Sequence, residues 1–160
     1  MILFLVGLPF SGKSYYARLL AKREGDKCID LDELIEKKFN KSPRQLFNDH
    51  GELFFRLKEF ELLSSLNEKK AVVALGGGTL LYEPSRLFIM NLGCVVYLKL
   101  NPTIIKKRID ALKEKPAYYT NFEDLLKRLP IYEKASHNML DISFMSDEKV
   151  LEELKKIYGS

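Results

Sequence analysis

A glycine-rich segment near the N-terminus has the residue types and the spacing of a phosphate-binding loop. Gly7 is followed by four residues and then by Gly12, Lys13 and Ser14, which matches the pattern G-x-x-x-x-G-K-[ST]. In such a loop, backbone N–H groups surround a phosphate, and the N-terminus of the next helix adds partial positive charge. The lysine reaches the β- and γ-phosphates, and the serine hydroxyl is a ligand for Mg²⁺. The segment therefore predicts a site for nucleotide phosphates, with Mg²⁺ as cofactor.

The surroundings of this loop support the same interpretation. An apolar run over residues 2–6 predicts a buried strand before the loop, and residues 13–23 predict a helix after it. A glycine turn with an exposed lysine is the alternative, but it does not require this order of strand, loop and helix. The Asn-Lys-x-Asp pattern of guanine-nucleotide sites does not follow in the sequence, which favours ATP.

Two carboxylates follow the second predicted strand, which covers residues 27–30. Asp30 and Asp32 are two residues apart, and if the strand continued to Asp32, both side chains would point to one face. A kinase needs a carboxylate that accepts or orients the hydroxyl proton while Mg²⁺ and a lysine absorb the developing charge. We therefore predict one carboxylate near the metal and the other facing a substrate hydroxyl. The alternative is that Asp30 caps the following helix.

Two arginines and a run of glycines have the chemistry of a site for a small anion. Arg56 and Glu59 lie three residues apart on a helix predicted over 52–66, so Glu59 could orient a guanidinium group that grips a carboxylate. Taken alone, the pair is more simply a solvated ion pair, which contributes little to stability. Residues 76–78 are three glycines at the end of a buried strand, where bare backbone lets a ligand approach closely. A simple loop is the alternative there, and Arg128, taken alone, is typical of a surface residue.

Strand-like and helix-like segments alternate along the chain. This order predicts an α/β fold with a five-stranded parallel sheet and helices on both faces. Ligands of such sheets bind beyond the carboxyl ends of the strands, where the phosphate loop, the carboxylates and the glycines all fall. The predicted strands cover residues 2–6, 27–30, 71–75, 94–100 and 139–144, and one long helix is predicted over 122–137.

Length and composition indicate one domain over residues 1–160, with 46% hydrophobic and 30% charged residues. The net charge is +4, but the 26 basic and 22 acidic residues alternate along the chain, so no nucleic-acid-binding face is predicted. Two cysteines form neither a disulfide framework nor a zinc site, and no apolar run approaches the ~18 residues of a transmembrane helix. We predict a cytoplasmic monomer without nucleic-acid or membrane partners.

Taken in this order, the motifs resemble those of the shikimate kinase family. The resemblance extends from residue 2 to about residue 141. It rests on the phosphate loop, D-x-D at Asp30 and Asp32, G-E-x-x-F-R-x-x-E over 51–59, the glycines at 76–78, and R-x-x-x-Y from Arg128 to Tyr132. It implies transfer of the γ-phosphoryl group of ATP to the 3-hydroxyl of shikimate, in aromatic amino-acid (chorismate) biosynthesis.

The resemblance also implies a fold and a division of roles. The implied fold is the three-layer P-loop kinase fold of nucleoside-monophosphate-kinase type, with a mobile lid over about 113–121 and a shikimate-binding helical region over about 32–61. Asp32 would meet the reacting hydroxyls, Asp30 would lie by the Mg²⁺ that Ser14 binds, and Lys13 would be catalytic with Asp32. The implied shikimate-binding residues are Asp32, Phe47, Phe55, Arg56, Glu59, Gly77, Gly78 and Arg128, with both arginines on the carboxylate. The implied nucleotide-binding residues are Phe10, Ser11, Gly12, Lys13, Ser14, Tyr15, Arg108 and Lys115, with Arg108 against the adenine.

The sequence departs from the family pattern in two places. The family lid usually has Arg-Pro-Leu-Leu, where this chain has Lys115 followed by Pro-Ala-Tyr; lysine keeps the charge but lacks the planar fork of arginine. In the phosphate loop, Phe10 and Tyr15 stand where glycine and threonine are common. Two alternatives stay open: a related small-molecule kinase for gluconate or a nucleoside monophosphate, and a nucleotide-binding homologue without turnover, which the lysine in the lid would favour.

Overall fold

A parallel sheet of five strands forms the centre of the computed structural model, which describes residues 1–115 and 119–160. The strands are β1 Ile2–Val6, β2 Lys27–Asp30, β3 Ala71–Ala74, β4 Cys94–Lys99 and β5 Asn138–Asp141. Their order across the sheet is β2-β3-β1-β4-β5, and all neighbours are parallel. The sequence-based prediction of a five-stranded parallel sheet is confirmed.

Helices connect the strands and cover the sheet. They are α1 Lys13–Glu24, α2 Leu31–Phe39, α3 Pro43–His50, α4 Glu52–Ser64, α5 Glu83–Leu92, α6 Pro102–Asp110, α7 Phe122–Leu126, α8 Leu129–Ala135 and α9 Asp147–Tyr158. A short 3₁₀ turn over Thr79–Leu81 follows the three glycines. Every residue of β1 and of β3 is buried, because a parallel sheet needs cover on both faces.

The sheet topology determines where the site lies. From β3, on one side of β1, the chain passes to β4 on the other side. A crevice forms beyond the carboxyl ends of the strands at such a reversal of order. The loops that follow β1 and β3 meet there with the start of α2, which follows β2 directly.

The largest differences in extent between the predicted and the observed elements lie near the C-terminus. The single helix predicted over 122–137 is divided into α7 and α8, because Pro130 occupies the first turn of a new helix, where no N–H donor is needed. The last strand is predicted over 139–144 but ends at Asp141. There the Asp141 carboxylate accepts a hydrogen bond from the backbone N–H of Ser143 at 3.1 Å, which turns the chain away from the sheet.

Two further observations concern the chain as a whole. Within residues 1–115 and 119–160, no helix has the length and apolar character needed to cross a membrane. Cys28 and Cys94 are both half-buried free thiols.

Candidate active site

The phosphate loop, residues 7–14, joins β1 to α1 and depends on its two glycines. Gly12 has φ 95°, a conformation that L side chains rarely adopt. A Cβ atom on Gly7 would lie 2.7 Å from the carbonyl oxygen of Leu98 in β4, so any side chain there would displace the sheet. The side chain of Ser11 is buried beneath the loop. The local backbone thus has the form that the motif predicts.

The side chain of Lys13 lies inside the loop. Its ammonium group donates to the carbonyl oxygens of Gly7 at 3.0 Å and Leu8 at 2.7 Å. Burial lowers the pKa of Lys13 to about 8, although the charges of Asp32 and Asp30 oppose this shift. The lysine is therefore placed to meet phosphate oxygens, and its charge is sensitive to pH just above neutrality.

Phe10 has a left-handed backbone conformation, with φ 66°. For a residue other than glycine this costs roughly 1–2 kcal/mol, which explains why glycine suits this position. The Arg108 guanidinium on α6 donates to the Phe10 carbonyl oxygen at 2.6 Å. The contact fixes the strained peptide and places Arg108 beside the phosphate loop.

The Ser14 hydroxyl and the Asp30 carboxylate are in direct contact. Ser14 Oγ donates to Asp30 Oδ2, while Asp30 Oδ1 accepts from the backbone N–H groups of Asp32 at 3.0 Å and Glu33 at 3.3 Å. Asp30 is thus the N-cap of α2, as the alternative interpretation proposed, and its second oxygen still faces the serine. Hydroxyl and carboxylate oxygens are suitable ligands for Mg²⁺, which takes its other ligands from phosphates and water.

Asp32 lies in the first turn of α2 rather than on an extension of β2, so the geometric argument from strand alternation is wrong. It nevertheless lines a cavity of about 480 Å³ together with Lys13, Ser14, Gly76 and Gly77. Burial, together with the neighbouring charges of Glu59 and Asp30, raises the pKa of Asp32 to about 6, although the charges of Lys13 and Arg56 oppose this shift. A carboxylate with a raised pKa is suited to accept a proton near neutral pH.

Arg56 and Glu59 form a buried pair on α4. Arg56 Nη1 donates to Glu59, and so does the hydroxyl of Thr79. Arg56 is 5% exposed and Glu59 is 0% exposed, so the interpretation as a solvated pair is wrong. Burial raises the pKa of Glu59, although the Arg56 charge and the Thr79 hydrogen bond oppose this. Sequence reasoning missed Thr79; its position directly after the three glycines was the only signal.

The glycines at 76–78 are enclosed by this network rather than forming a simple loop. A Cβ atom on Gly78 would lie 2.1 Å from Arg56 Nη2, and one on Gly77 would lie 2.7 Å from the Pro9 ring. The Tyr132 hydroxyl donates to the Gly77 carbonyl oxygen. The absence of side chains therefore lets the phosphate loop and the Arg56 guanidinium approach the same stretch of backbone.

Arg128 is buried, with 8% of its surface exposed. The interpretation of Arg128 as a surface residue is therefore wrong. It lines a second cavity of about 420 Å³ together with Phe47 and Glu52. The Phe47 ring lies 5.9 Å from the buried ring of Phe55, and the Arg56 guanidinium lies 5.2 Å from the Phe55 ring. The predicted carboxylate-binding arginines and aromatic walls thus occupy one region beside the glycines.

Lys115, at the start of the predicted lid, is engaged at the C-terminal end of α6. Its ammonium group donates to the Ile109 carbonyl oxygen at 3.1 Å and lies 5.6 Å from the centre of the Tyr119 ring. Arg44 on α3 donates to the Lys115 carbonyl oxygen at 3.0 Å. Residues 116–118, which belong to the lid predicted over 113–121, lie outside the described residues.

Comparison with known proteins decides the family. The shikimate kinase family model matches residues 9–158. The chain belongs to the shikimate kinase family. A shikimate kinase 2 from Sodalis glossinidius is 32% identical, over 99% of this chain and 96% of its own length. A shikimate kinase from Chlorobium luteolum is 38% identical over 72% of this chain, a match that spans 57% of that relative.

Similarity extends to the whole fold. The structure of a shikimate kinase from Acinetobacter baumannii in complex with shikimate superposes with a TM-score of 0.88, at 28% identity, over 98% of this chain and 91% of that one. As a member of this shikimate kinase family, the chain is an ATP-dependent enzyme that phosphorylates shikimate in aromatic amino-acid biosynthesis. Its P-loop kinase fold is that of the family.

Proposed function

We propose that the chain transfers the γ-phosphoryl group of ATP to the 3-hydroxyl of shikimate, with Asp32 as the proton acceptor and Lys13 as the catalytic cation. The observation that carries this proposal is the cavity that Asp32 and Lys13 line together, between the phosphate loop and the three glycines. A hydroxyl that enters from the side of the glycines meets the Asp32 carboxylate. A phosphate that enters along the loop meets the Lys13 ammonium.

The charges of the two residues suit their proposed roles. With a pKa of about 6, Asp32 is mostly ionised at neutral pH and holds a proton more readily than an ordinary carboxylate. With a pKa of about 8, Lys13 is still mostly charged. Proton acceptance by Asp32 and charge compensation by Lys13 then occur at one place as the hydroxyl attacks.

The acceptor side of the site matches a small hydroxylated carboxylate. Arg56 and Arg128 bind the carboxylate, because a planar guanidinium can pair with both of its oxygens. Glu59 orients Arg56, the backbone of Gly77 and Gly78 approaches the ring, and Phe47 and Phe55 supply apolar walls. The complex of the Acinetobacter baumannii kinase with shikimate supports this assignment.

Ser14 and Asp30 are the residues that we assign to Mg²⁺. When bound there, the ion would neutralise negative charge on the phosphate groups of the nucleotide. The nucleotide itself contacts Phe10, Ser11, Gly12, Lys13, Ser14 and Tyr15 in the loop, with Arg108 near the adenine and Lys115 in the lid.

The larger organisation is also part of the proposal. We assign residues 1–160 to one kinase domain, with a mobile lid over about 113–121 and a shikimate-binding helical region over about 32–61. The protein acts as a cytoplasmic monomer whose partners are ATP and shikimate. Its two free thiols are in keeping with a reducing compartment.

A coupled assay of ADP release over a panel of acceptors tests this function. Shikimate should be turned over, while gluconate and nucleoside monophosphates should not. Turnover of another acceptor in place of shikimate would contradict the assignment. ATP binding without turnover of any acceptor would instead identify a homologue that has lost activity.

A further inference from the structure

A third cavity adjoins the phosphate loop on the side of α9. Its volume is about 410 Å³, and Ile104, Ile142 and Met145 give it an apolar wall. Gly12, Tyr15 and Arg108 line both this cavity and the one that holds Lys13 and Asp32. A nucleotide with its phosphates in the loop therefore passes these shared residues before its base reaches the apolar wall.

One carboxylate connects α1 to α9 at this junction. The Tyr15 hydroxyl donates to Asp147 Oδ2 and the Tyr16 hydroxyl donates to Asp147 Oδ1, both at 2.8 Å. The two tyrosine rings meet edge to face, with centroids 5.1 Å apart. Asp147 is the first residue of α9, where the helix dipole also favours a negative charge. We call this arrangement the Tyr15–Asp147–Tyr16 bridge.

The two tyrosines differ in what holds them in place. Tyr16 is buried, and its ring lies against Gly12, 3.1 Å from where a Cβ atom would be. Tyr15 is 49% exposed, so packing alone leaves its ring free to rotate. The hydrogen bond to Asp147 fixes the exposed ring at the boundary between the two cavities.

We propose that Tyr15, held by Asp147, positions the nucleoside part of the bound nucleotide. The Tyr15 ring forms a wall of the passage for the ribose. The bridge also keeps the segment 142–146, which leads into α9, at a fixed distance from the phosphate loop. The inference rests on the proposed function only in taking ATP as the nucleotide.

Tyr15→Phe and Asp147→Leu test the bridge, because each keeps the approximate size of the side chain and removes the hydrogen bond between residues 15 and 147. Each should raise the KM for ATP and the Kd for ADP by about three- to tenfold, as expected for the loss of one hydrogen bond. The kcat and the KM for shikimate should stay within about twofold of the wild type. Both changes remove the same hydrogen bond. The double variant should therefore raise the KM for ATP no more than the more damaging of the two single variants does.

Glu148→Leu is the matched control. Glu148 is the next residue on α9. Its carboxylate also links α9 to α1, because it accepts a bidentate pair of hydrogen bonds from the Arg23 guanidinium at 3.0 and 2.9 Å. In the part of the chain that the structure describes, it lines neither cavity. Glu148→Leu removes the acceptor for Arg23 and should leave the KM for ATP unchanged. If this variant raised the KM for ATP as much as Tyr15→Phe does, any contact between α1 and α9 would be enough to support ATP binding. That result would overturn the proposal.

A comparison of two inhibitors separates positioning of the nucleoside from support of the phosphate loop. ADP should inhibit Tyr15→Phe more weakly than the wild type, whereas inorganic tripolyphosphate should inhibit both equally. Equal weakening of both inhibitors, or unchanged ADP binding in Tyr15→Phe and Asp147→Leu, would contradict the inference. If the wild type failed to phosphorylate shikimate while ADP binding still weakened in Tyr15→Phe, the proposed function would fail and the bridge would stand.

Discussion

The nucleotide half of this active site is centred on one loop, whereas the acceptor half is formed by side chains from several elements. The centre of the nucleotide half is one contiguous segment, residues 7–14, in which Lys13 donates to carbonyl oxygens of its own loop. The acceptor half consists of side chains from separate elements, and its centre is the buried pair of Arg56 and Glu59 with Thr79.

This difference explains where the chain tolerates departures from the family pattern. Phe10 and Tyr15 both lie in or beside the phosphate loop, where a changed side chain leaves the backbone N–H groups in place. Arg56 and Glu59 have no such freedom, because loss of one charge leaves the other buried without its partner. Four predictions test this contrast, from the largest expected effect to the smallest.

Asp32→Asn should lower kcat by about 10²- to 10⁴-fold, because it removes the proton acceptor while keeping the shape of the side chain. The Kd for ADP should remain within about twofold, since the backbone N–H groups of the phosphate loop stay in place in this variant. Steady-state kinetics and ADP titration measure the two quantities. Asp49→Asn removes an exposed carboxylate that pairs with Lys41 and serves as control. A kcat close to that of the wild type in Asp32→Asn would remove Asp32 from the mechanism.

Arg56→Ala should raise the KM for shikimate by at least about tenfold, through loss of a charge-assisted hydrogen bond. It should also lower the free energy of unfolding by about 3–5 kcal/mol, because Glu59 stays buried without its partner. Denaturant unfolding and steady-state kinetics measure both effects. Arg56→Lys, which keeps the charge, should lose less stability.

Arg23→Ala is the control for this comparison, because Arg23 also pairs with a carboxylate but at the surface. Its melting temperature and its KM for shikimate should match those of the wild type. Equal destabilisation by Arg56→Ala and Arg23→Ala would show that burial of the Arg56 pair has no energetic consequence.

The pH dependence of kcat/KM should be bell-shaped. Burial raises the pKa of Asp32 to about 6 and lowers the pKa of Lys13 to about 8. Below about 6 Asp32 becomes protonated and cannot accept the hydroxyl proton, and above about 8 Lys13 loses its charge. The rate should fall about tenfold per pH unit outside this window. An acidic limb near 4, the ordinary value for aspartate, would contradict the assignment of Asp32.

Lys115→Arg should raise kcat by about two- to tenfold, because arginine restores the planar fork that can stabilise the transferring phosphoryl group. The KM for shikimate should not change. Lys115→Met, which removes the charge, should act in the opposite direction. Equal kcat in all three proteins would mean that this position in the lid does not contribute to the reaction.

The local features of the site could be predicted closely. A continuous apolar run, two glycines and a helical segment predict the strand β1, the phosphate loop and α1, and the structure has all three. The N-cap role of Asp30 was among the alternatives, since a carboxylate before a helix commonly accepts from its first N–H groups.

Other features were predicted for the wrong reason or not at all. Asp32 was expected to share a site with Asp30 through strand alternation, yet it is the helix α2 that places it in the cavity. No local pattern indicates the contacts between residues that are distant in sequence. These are the contacts of Thr79 with Glu59, of Pro9 with Gly77 and of Tyr15 with Asp147. The pairing of Arg56 with Glu59 is visible in the sequence, but its burial is not.

The sequence by itself determined the order of the elements, the phosphate loop and the identity of the charged residues, because these depend on neighbours along the chain. The tertiary structure decided which charges are buried, which glycines have no room for a side chain, and how far the pKa values of Asp32 and Lys13 are shifted. Those properties arise from atoms that different elements bring within a few ångströms. They exist only once the sheet has brought its loops together.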